Sequence, residues 1–207
     1  KEEWIQALDD RHGIEFQKKI SSTTVAVCGL GGLGSNIAIS LARAGIGKLI
    51  LIDFDKVDIT NLHRQQYKAN QIGMCKTEAL QNNLKEINPY LETKIHTICL
   101  DESNAKDVLA DADIICEAFD NAEAKANIVN FVLSEMPNKY IVAASGMAGL
   151  DSANLIKTRK VSKRFYLCGD EVSDIKDGIG LVSTRVMLCA AHQAHTVLRI
   201  IAEEYEV

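Results

Sequence analysis

The stretch TTVAVCGLGGLGS, from Thr23 to Ser35, constrains the fold of this chain more than any other feature. Thr23 to Cys28 is a short apolar and β-branched run, which is typical of a strand buried on both faces. Glycines follow it, and a helical pattern begins at about Ser35. A strand, a glycine turn and a helix N-terminus form a cradle for phosphate, because close backbone approach and free N–H groups meet there. The fingerprint G-x-G-x-x-G is matched by Gly29, Gly31 and Gly34, with Gly32 as an additional glycine.

Apolar runs and helical patterns alternate along the rest of the chain, which predicts a parallel sheet with helices on both faces. Further strands are predicted at Lys48–Ile52, Thr93–Cys99, Asp113–Phe119 and Tyr140–Ala144, and helices at Cys75–Ile87, Glu123–Leu133 and Val182–Ile201. Two more strands, Asn154–Thr158 and Arg164–Leu167, follow each other without a helix, so the sheet should gain antiparallel edges. We therefore predict a Rossmann-like α/β fold in a single domain, 1–207, with an N-terminal helical segment at 1–20.

Composition excludes several classes of function. The formal net charge is −5 and no long run of Lys or Arg occurs, which argues against a nucleic-acid partner. No apolar segment approaches the roughly 20 residues that a membrane span requires. The six cysteines include no C-x-x-C pair, so free thiols and a reducing, cytoplasmic location are expected.

Several polar residues are expected to meet at one edge of the sheet. Ligands of doubly wound folds bind beyond the carboxyl ends of the strands, where the strand order reverses. If the first strand is central, the glycine loop, Asp53 and Asp120 all lie at that edge. Asp53 also has the spacing of the acid that holds ribose hydroxyls in dinucleotide folds. Cations for a triphosphate are offered by the connection after the second strand, at His63, Arg64, Lys68 and Lys76.

Taken together, these motifs closely resemble the ThiF/MoeB branch of the ubiquitin-activating-enzyme superfamily, and the shorter ThiF-like proteins in particular. The resemblance extends from the glycine loop to the last helix, which contains the sequence AAHQA. Its motifs are Gly29–Ser35, Asp53-Phe54-Asp55, Asn61-Leu62-His63-Arg64-Gln65, Lys76 and Asp120-Asn121.

The resemblance implies adenylation of the C-terminal Gly-Gly carboxylate of a small, ThiS-like ubiquitin-fold sulfur carrier, with ATP and magnesium. Thiamine biosynthesis is the implied pathway and a homodimer the implied assembly. The glycine loop, Asp53 and Asp55 would hold the nucleotide, and Asp53 its ribose. Asp120 would position magnesium, with Asn121 supporting the nucleotide site. Phosphate contacts would come from Asn61, Arg64, Gln65 and Lys76.

The chain departs from the larger relatives in three respects. Those relatives carry two C-x-x-C pairs for a structural zinc, and this sequence has neither, so no zinc is expected. In the relatives, the partner subunit supplies an arginine from an Arg-rich N-terminal motif, and in this chain only Arg11 stands near that position. The relatives also use a cysteine before the last helix to handle the thiocarboxylate product, and Cys168 is the nearest candidate here.

Plainer roles remain open for each of these residues. Asp53 and Asp120 also suit helix caps, and Asn61 and Gln65 would order a loop. Arg64 suits a surface ion pair, while Lys76 and Arg11 suit solvated helix positions. Cys168 suits a structural thiol, and His192 and His195 suit core or surface positions better than a metal site. An NAD-dependent oxidoreductase needs only the glycine loop and Asp53, and a nucleotide-binding relative without catalysis would keep the same pocket.

Overall fold

The computed structural model describes residues 1–207, apart from the side chain of Asp177. It contains seven strands and seven α-helices. The strands are β1 (Thr24–Cys28), β2 (Lys48–Ile52), β3 (Glu92–His96), β4 (Ile114–Glu117), β5 (Tyr140–Ala144), β6 (Lys157–Ser162) and β7 (Phe165–Gly169). The helices are α1 (Glu2–His12), α2 (Ile14–Ser22), α3 (Gly32–Ala44), α4 (Lys76–Ile87), α5 (Ala105–Val108), α6 (Ala122–Glu135) and α7 (Ser183–Ile201). Short 3-10 helices lie at Ile59–Asn61, Ala69–Gln71, Ala153–Leu155 and Ile175–Asp177.

All seven strands belong to one sheet in the order β3-β2-β1-β4-β5-β7-β6. Every neighbouring pair is parallel except β6 and β7, which are antiparallel. The predicted Rossmann-like sheet with an antiparallel edge is therefore confirmed. The strand order reverses between β1 and β4, which places a crevice beyond the carboxyl ends of those two strands.

Helices cover both faces of the sheet and bury its apolar side chains. One face packs against α3, α4 and α7, through residues such as Ile37, Leu80 and Val197. The other face packs against α5 and α6, through Val108 and Ile128. No helix of the described chain has the length and apolarity of a membrane span.

Strands β2 and β5 have the predicted bounds, whereas three other boundaries lie three residues from their predicted places. Helix α3 begins at Gly32, three residues before Ser35, because the Ser35 N–H already donates to the Gly31 carbonyl at 3.1 Å. Strand β3 ends at His96 and not at Cys99, since the hydroxyls of Thr97 and Thr77 pair at 2.7 Å and direct the chain toward α4. The segment predicted as a strand from Asn154 starts as a 3-10 helix, with the Ser152 hydroxyl accepting from the Asn154 N–H at 3.3 Å.

Gly34 brings α3 into contact with the glycine turn. A Cβ atom at this position would lie 1.7 Å from the Gly29 carbonyl oxygen, so only glycine fits. Gly29 itself has φ +89°, and a Cβ there would lie 2.7 Å from the Ala118 carbonyl oxygen. These close approaches join β1, the first turn of α3 and the end of β4 at the crevice.

Gly34→Ala should therefore destabilise the protein. We expect the free energy of unfolding to fall by about 3 kcal/mol, since the backbone of Gly29 must move to admit the methyl group. Gly180→Ala is the matched control, because no atom lies within 4 Å of a Cβ built there. Urea unfolding of both variants checks the prediction, and equal stability of the two would contradict it.

Candidate nucleotide-binding site

The carboxylate of Asp53 anchors the glycine loop from the end of β2. It is 8% exposed, and one oxygen accepts from the Leu30 N–H at 2.6 Å. The other oxygen accepts from the Asp55 N–H at 2.7 Å. Each carboxylate oxygen keeps a second lone pair for a hydroxyl donor such as a ribose. The predicted convergence of Asp53 with the glycine loop is therefore present in the structure.

A network of polar side chains holds the connection after β2 against the same loop. Tyr67 donates its hydroxyl to the Leu30 carbonyl at 2.7 Å. Burial raises the pKa of Tyr67 well above its ordinary value, and the charges of Asp53 and Asp55 act in the same direction. Asn36, on the first turns of α3, donates to the Arg64 carbonyl at 3.2 Å.

Sequence reasoning missed Asn36 and Tyr67. The available signals were a polar residue at the start of α3 and a tyrosine two residues after Gln65, in the connection that offers the candidate cations.

Lys76 lies at the N-terminus of α4 and is 5% exposed. Its ammonium contacts the Asp55 carboxylate at 2.9 Å. The pairing of Lys56 with Cys75 and the Lys76 N–H bond to the Asp55 carbonyl at 2.9 Å fix the backbone around it. A buried lysine thus stands next to the Asp53–Asp55 segment. The alternative role for Lys76, a solvated position on the helix, does not agree with this burial.

Arg64 lies beside Gly32, at the start of α3. Its guanidinium donates to the Asn61 side-chain oxygen at 3.0 Å, and its Cγ lies 3.4 Å from where a Cβ of Gly32 would be. Partial burial lowers the pKa of Arg64, while the nearby charge of Asp120 acts in the opposite direction. The structure therefore brings Arg64, Asn61 and Asp120 together with the glycine loop.

Two buried polar atoms in this region have no hydrogen-bond partner within the described part of the chain. They are Nε of Arg64 and Oε1 of Gln65. Gln65 is 7% exposed, and its Nε2 lies 3.7 Å from where a Cβ of Gly31 would be. Buried polar groups normally find partners, so an unpaired guanidinium nitrogen beside a glycine cradle fits a bound anion. The residues present are thus suited to a nucleotide phosphate.

The two residues after β4 differ in what the structure shows for them. Asp120 is exposed at the crevice, as expected. Asn121 caps α6, because its side-chain oxygen accepts from the Ala124 N–H at 2.9 Å. Asn121 therefore caps a helix, and its support of the nucleotide site stays a prediction.

The crevice is better suited to a metal ion that binds together with a nucleotide than to one held by protein side chains alone. Among the residues that the structure describes, no three His, Cys, Asp or Glu side chains gather as a metal site. Mg²⁺ is commonly held by one or two carboxylates together with substrate phosphates, so Asp120 alone fits a Mg²⁺–nucleotide complex.

Arg11 lies far from the crevice of its own chain. Helix α1 packs through Leu8 near Gly45, which follows the C-terminal end of α3. The glycine loop is at the other end of this 13-residue helix, about 20 Å away. Arg11 is exposed in the last turn of α1 and would have to serve the crevice of another chain.

Cys168 is fully buried in β7, between the Thr158 hydroxyl at 3.6 Å and the Thr196 hydroxyl at 3.9 Å. Burial raises its pKa, which favours the thiol over the nucleophilic thiolate. His192 pairs with Thr158 at 2.9 Å on the same side of the sheet. These contacts suit the structural thiol that the sequence left open as the alternative role for Cys168.

A cleft of about 790 Å³ opens beyond the ends of β5 and β7. Its lining includes the exposed apolar side chains of Leu150, Val172 and Ile179. Arg185, near the start of α7, fixes one wall because it is 5% exposed and donates to the Asp170 carboxylate at 2.7 Å. It also donates to the carbonyl of Ala148.

Asp170 is held by several donors at once. Desolvation raises its pKa, but hydrogen bonds from Ser173, Val172 and Arg185 outweigh this and lower it to about 2. A second pair, between Arg159 and Glu171 at 2.7 Å, joins the same wall to β6 at the surface. The buried pair between Arg185 and Asp170 has no local signature in the sequence, because its partners are 15 residues apart.

Comparison with known proteins gives one family and several relatives. The family model that matches is the ThiF family, over residues 6–207. The chain is 39% identical over 121 residues to adenylyltransferase and sulfurtransferase MOCS3 of Caenorhabditis briggsae, covering 58% of this chain and 30% of that protein. It is 27% identical over 209 residues to adenylyltransferase and sulfurtransferase UBA4 of Vanderwaltozyma polyspora, covering 96% of this chain and 46% of that protein. The chain thus spans less than half the length of these relatives.

Solved structures support the fold. The E. coli tRNA N6-threonylcarbamoyladenosine dehydratase TcdA in complex with AMP has a TM-score of 0.87 and 20% identity, covering 99% of this chain and 97% of that one. The same enzyme in complex with ATP has a TM-score of 0.86 and 19% identity, covering 97% of this chain and 94% of that one.

The two ion pairs of the cleft should differ strongly in their contribution to stability. Arg185→Met leaves the buried Asp170 carboxylate without its cation, so we expect the free energy of unfolding at pH 7 to fall by about 3 kcal/mol. Arg159→Met, the matched control, removes an exposed pair and should leave the urea midpoint nearly unchanged.

The effect of Arg185→Met should also depend on pH. Because the folded pKa of Asp170 is depressed from 3.8 to about 2, its contribution is complete above pH 3.8 and is lost as the pH falls through about 2. The difference between wild type and Arg185→Met should shrink in that window. Equal midpoints for wild type and Arg185→Met at pH 7 would contradict this account.

Proposed function

The chain belongs to the ThiF family, and from that premise we propose that it activates a carboxylate by adenylation with ATP. The acceptor in this proposal is the C-terminal Gly-Gly carboxylate of a ThiS-like ubiquitin-fold sulfur carrier, in thiamine biosynthesis. The relatives named adenylyltransferase and sulfurtransferase support the reaction type. The short glycine-loop, Arg64 and AAHQA motifs support the choice of a ThiF-like protein.

One observation carries the proposal. Two cations, Arg64 and Lys76, stand beside a glycine cradle that is hydrogen-bonded to Asp53, and Asp53 is the acid that we assign to the ribose. A dinucleotide needs no such cations, because the helix N–H groups cover its pyrophosphate. A triphosphate carries more negative charge, and fixed cations stabilise it as further charge develops in the transition state.

The reaction needs orientation more than proton transfer. A terminal carboxylate has a pKa of roughly 3.5, so it is ionised at neutral pH and needs no general base. One carboxylate oxygen attacks the α-phosphorus, the Pα–O bond to the β-phosphate breaks, and pyrophosphate leaves with that electron pair. The products are an acyl adenylate and pyrophosphate.

Each residue has a defined task in this scheme. The glycine loop and Asp53 hold the nucleotide. Arg64 and Lys76 neutralise the phosphates, and Asn61 and Gln65 help to orient them. Lys76 would exchange its Asp55 contact for a phosphate, and the unpaired Nε of Arg64 would gain an acceptor. When bound, Mg²⁺ supplies further charge neutralisation of the phosphates, and Asp120 is the carboxylate that would hold it.

The cleft beyond β5 and β7 lies along the same sheet edge as the crevice. Its apolar lining by Leu150, Val172 and Ile179 suits the extended tail of a protein. We propose that the carrier's tail crosses this cleft to reach the α-phosphate. A homodimer, in which Arg11 serves the crevice of the second chain, belongs to the same proposal.

Other functions account for fewer of the observations. An NAD-dependent oxidoreductase leaves Arg64, Lys76 and Asp120 unexplained. An RNA substrate is suggested by the name of the E. coli tRNA N6-threonylcarbamoyladenosine dehydratase, but the net charge of −5 opposes an RNA partner for this chain. A protein that binds ATP without catalysis would keep the crevice and show no exchange.

The reaction predicts carrier-dependent exchange of label between pyrophosphate and ATP. We expect protein, ATP, Mg²⁺, labelled pyrophosphate and a ThiS-like carrier ending in Gly-Gly to give labelled ATP. A carrier lacking the terminal glycine, or an RNA acceptor in its place, should give none. Absence of exchange with every Gly-Gly carrier tested, by a protein that binds ATP, would show a nucleotide-binding protein and overturn the proposal.

Lys76→Ala and Arg64→Ala should each lower the exchange rate by about 10²- to 10³-fold, because each removes a cation from the phosphates. Their circular dichroism spectra should match wild type, since neither side chain packs in the apolar core. Lys68→Ala is the control, because Lys68 lies in the same connection but pairs with Glu86 at the surface. Wild-type rates for the two crevice variants would contradict the assigned roles.

A further inference from the structure

Glu117 is a fully buried carboxylate at the end of β4 that the proposed reaction does not use. Its side chain is 0% exposed and contacts the ammonium of Lys125, on α6, at 2.6 Å. It accepts a second hydrogen bond from the Phe119 N–H at 2.7 Å. The Ala144 N–H, at the end of β5, also acts to lower the pKa of this carboxyl. Burial raises the pKa of Glu117, and Lys125 opposes this shift.

The same strand end is fixed from the opposite face of the sheet. Gln193 of α7 is 0% exposed and donates to the carbonyls of Glu117 at 2.9 Å and Val142 at 3.1 Å. The Ala118 N–H donates to the Cys28 carbonyl at 2.8 Å, which continues the contact between β4 and β1. Polar side chains from both helical layers therefore converge on the point where the chain leaves β4.

Stability alone does not explain a pair of this kind. Removing a carboxylate and an ammonium from water costs several kcal/mol per ion, and apolar replacements are often neutral or stabilising. The neighbours of Glu117 in the strand, Ile115 and Cys116, show that apolar residues fit this part of the sheet. The pair is therefore better explained by the geometry that it imposes.

That geometry concerns the turn from β4 to α6, which carries Asp120. Glu117 stands before the turn, its Phe119 bond lies within it, and its Lys125 bond reaches the helix beyond it. The Asn121 cap closes the turn onto α6. A single buried carboxylate thus ties both ends of the four-residue segment 118–121 and restricts the directions that the Asp120 carboxylate can take.

We propose that Glu117 and Lys125 form a positioning pair, which holds Asp120 in the direction required to bind Mg²⁺ together with the ATP phosphates. This inference rests on the proposed function, because it assigns the pair to the magnesium site of that reaction. Neither residue is assigned contact with the substrate. Both act through the backbone of the turn.

The test measures the Mg²⁺ concentration that gives half-maximal ATP binding, by equilibrium dialysis without any carrier. Lys125→Met and Glu117→Gln should each raise this concentration by about tenfold, the usual effect of losing a residue that orients a metal ligand. Lys125→Arg, which keeps the cation, should stay within about twofold of wild type. Lys48→Met is the matched control, because Lys48 is 25% exposed against 24% for Lys125 and pairs with Glu92 far from the turn.

A combined variant separates positioning from general loosening of the fold. If Lys125 acts through Asp120, Lys125→Met/Asp120→Asn should need no more Mg²⁺ than Asp120→Asn alone. The inference would be overturned if the double variant needed more Mg²⁺ than Asp120→Asn by the same factor that Lys125→Met adds to wild type. An unchanged Mg²⁺ requirement in a folded Lys125→Met would also overturn it. Should Glu117→Gln fail to fold, the Lys125 variants decide the question alone. Wild-type protein that binds no ATP would instead overturn the proposed function and this inference with it.

Discussion

The hydrogen bond from the Leu30 N–H to the Asp53 carboxylate is the contact on which the rest of the site depends. It fixes the glycine loop after β1 to the end of β2, so the position of the Asp53 carboxylate relative to the loop is set. The second oxygen of Asp53 holds the Asp55 N–H, and Asp55 in turn pairs with Lys76. A displacement of Asp53 would therefore move the cradle and one of its two cations together.

Much of the fold followed from the sequence, because buried strands have a simple signature. Lys48–Ile52 and Tyr140–Ala144 were predicted with their observed bounds, since each is an apolar run enclosed on both faces. The start of α3 was wrong because glycine is a poor helix former, yet close packing of Gly34 on Gly29 requires it there. The end of β3 was wrong because a hydroxyl pair between Thr97 and Thr77, 20 residues apart, redirects the chain.

The candidate site shows the same division. The glycine loop, Asp53, Arg64 and Lys76 stand in short motifs and were predicted to converge, as they do. Their supports could not be predicted, because the bonds that define them join distant segments. Gln193 reaches Glu117 across 76 residues. The burial of Cys168, and the distance of Arg11 from its own crevice, likewise depend on packing that no local pattern encodes.

Competitive binding of ATP and NADH to the wild-type chain tests most directly whether this crevice is a triphosphate site. Labelled ATP with Mg²⁺ should bind saturably at one site per chain, and excess unlabelled ATP should displace it while NADH does not. Lys76→Ala should weaken this binding, because a buried cation is lost from the phosphates. Tight binding of NADH, with no saturable binding of ATP, would contradict the account.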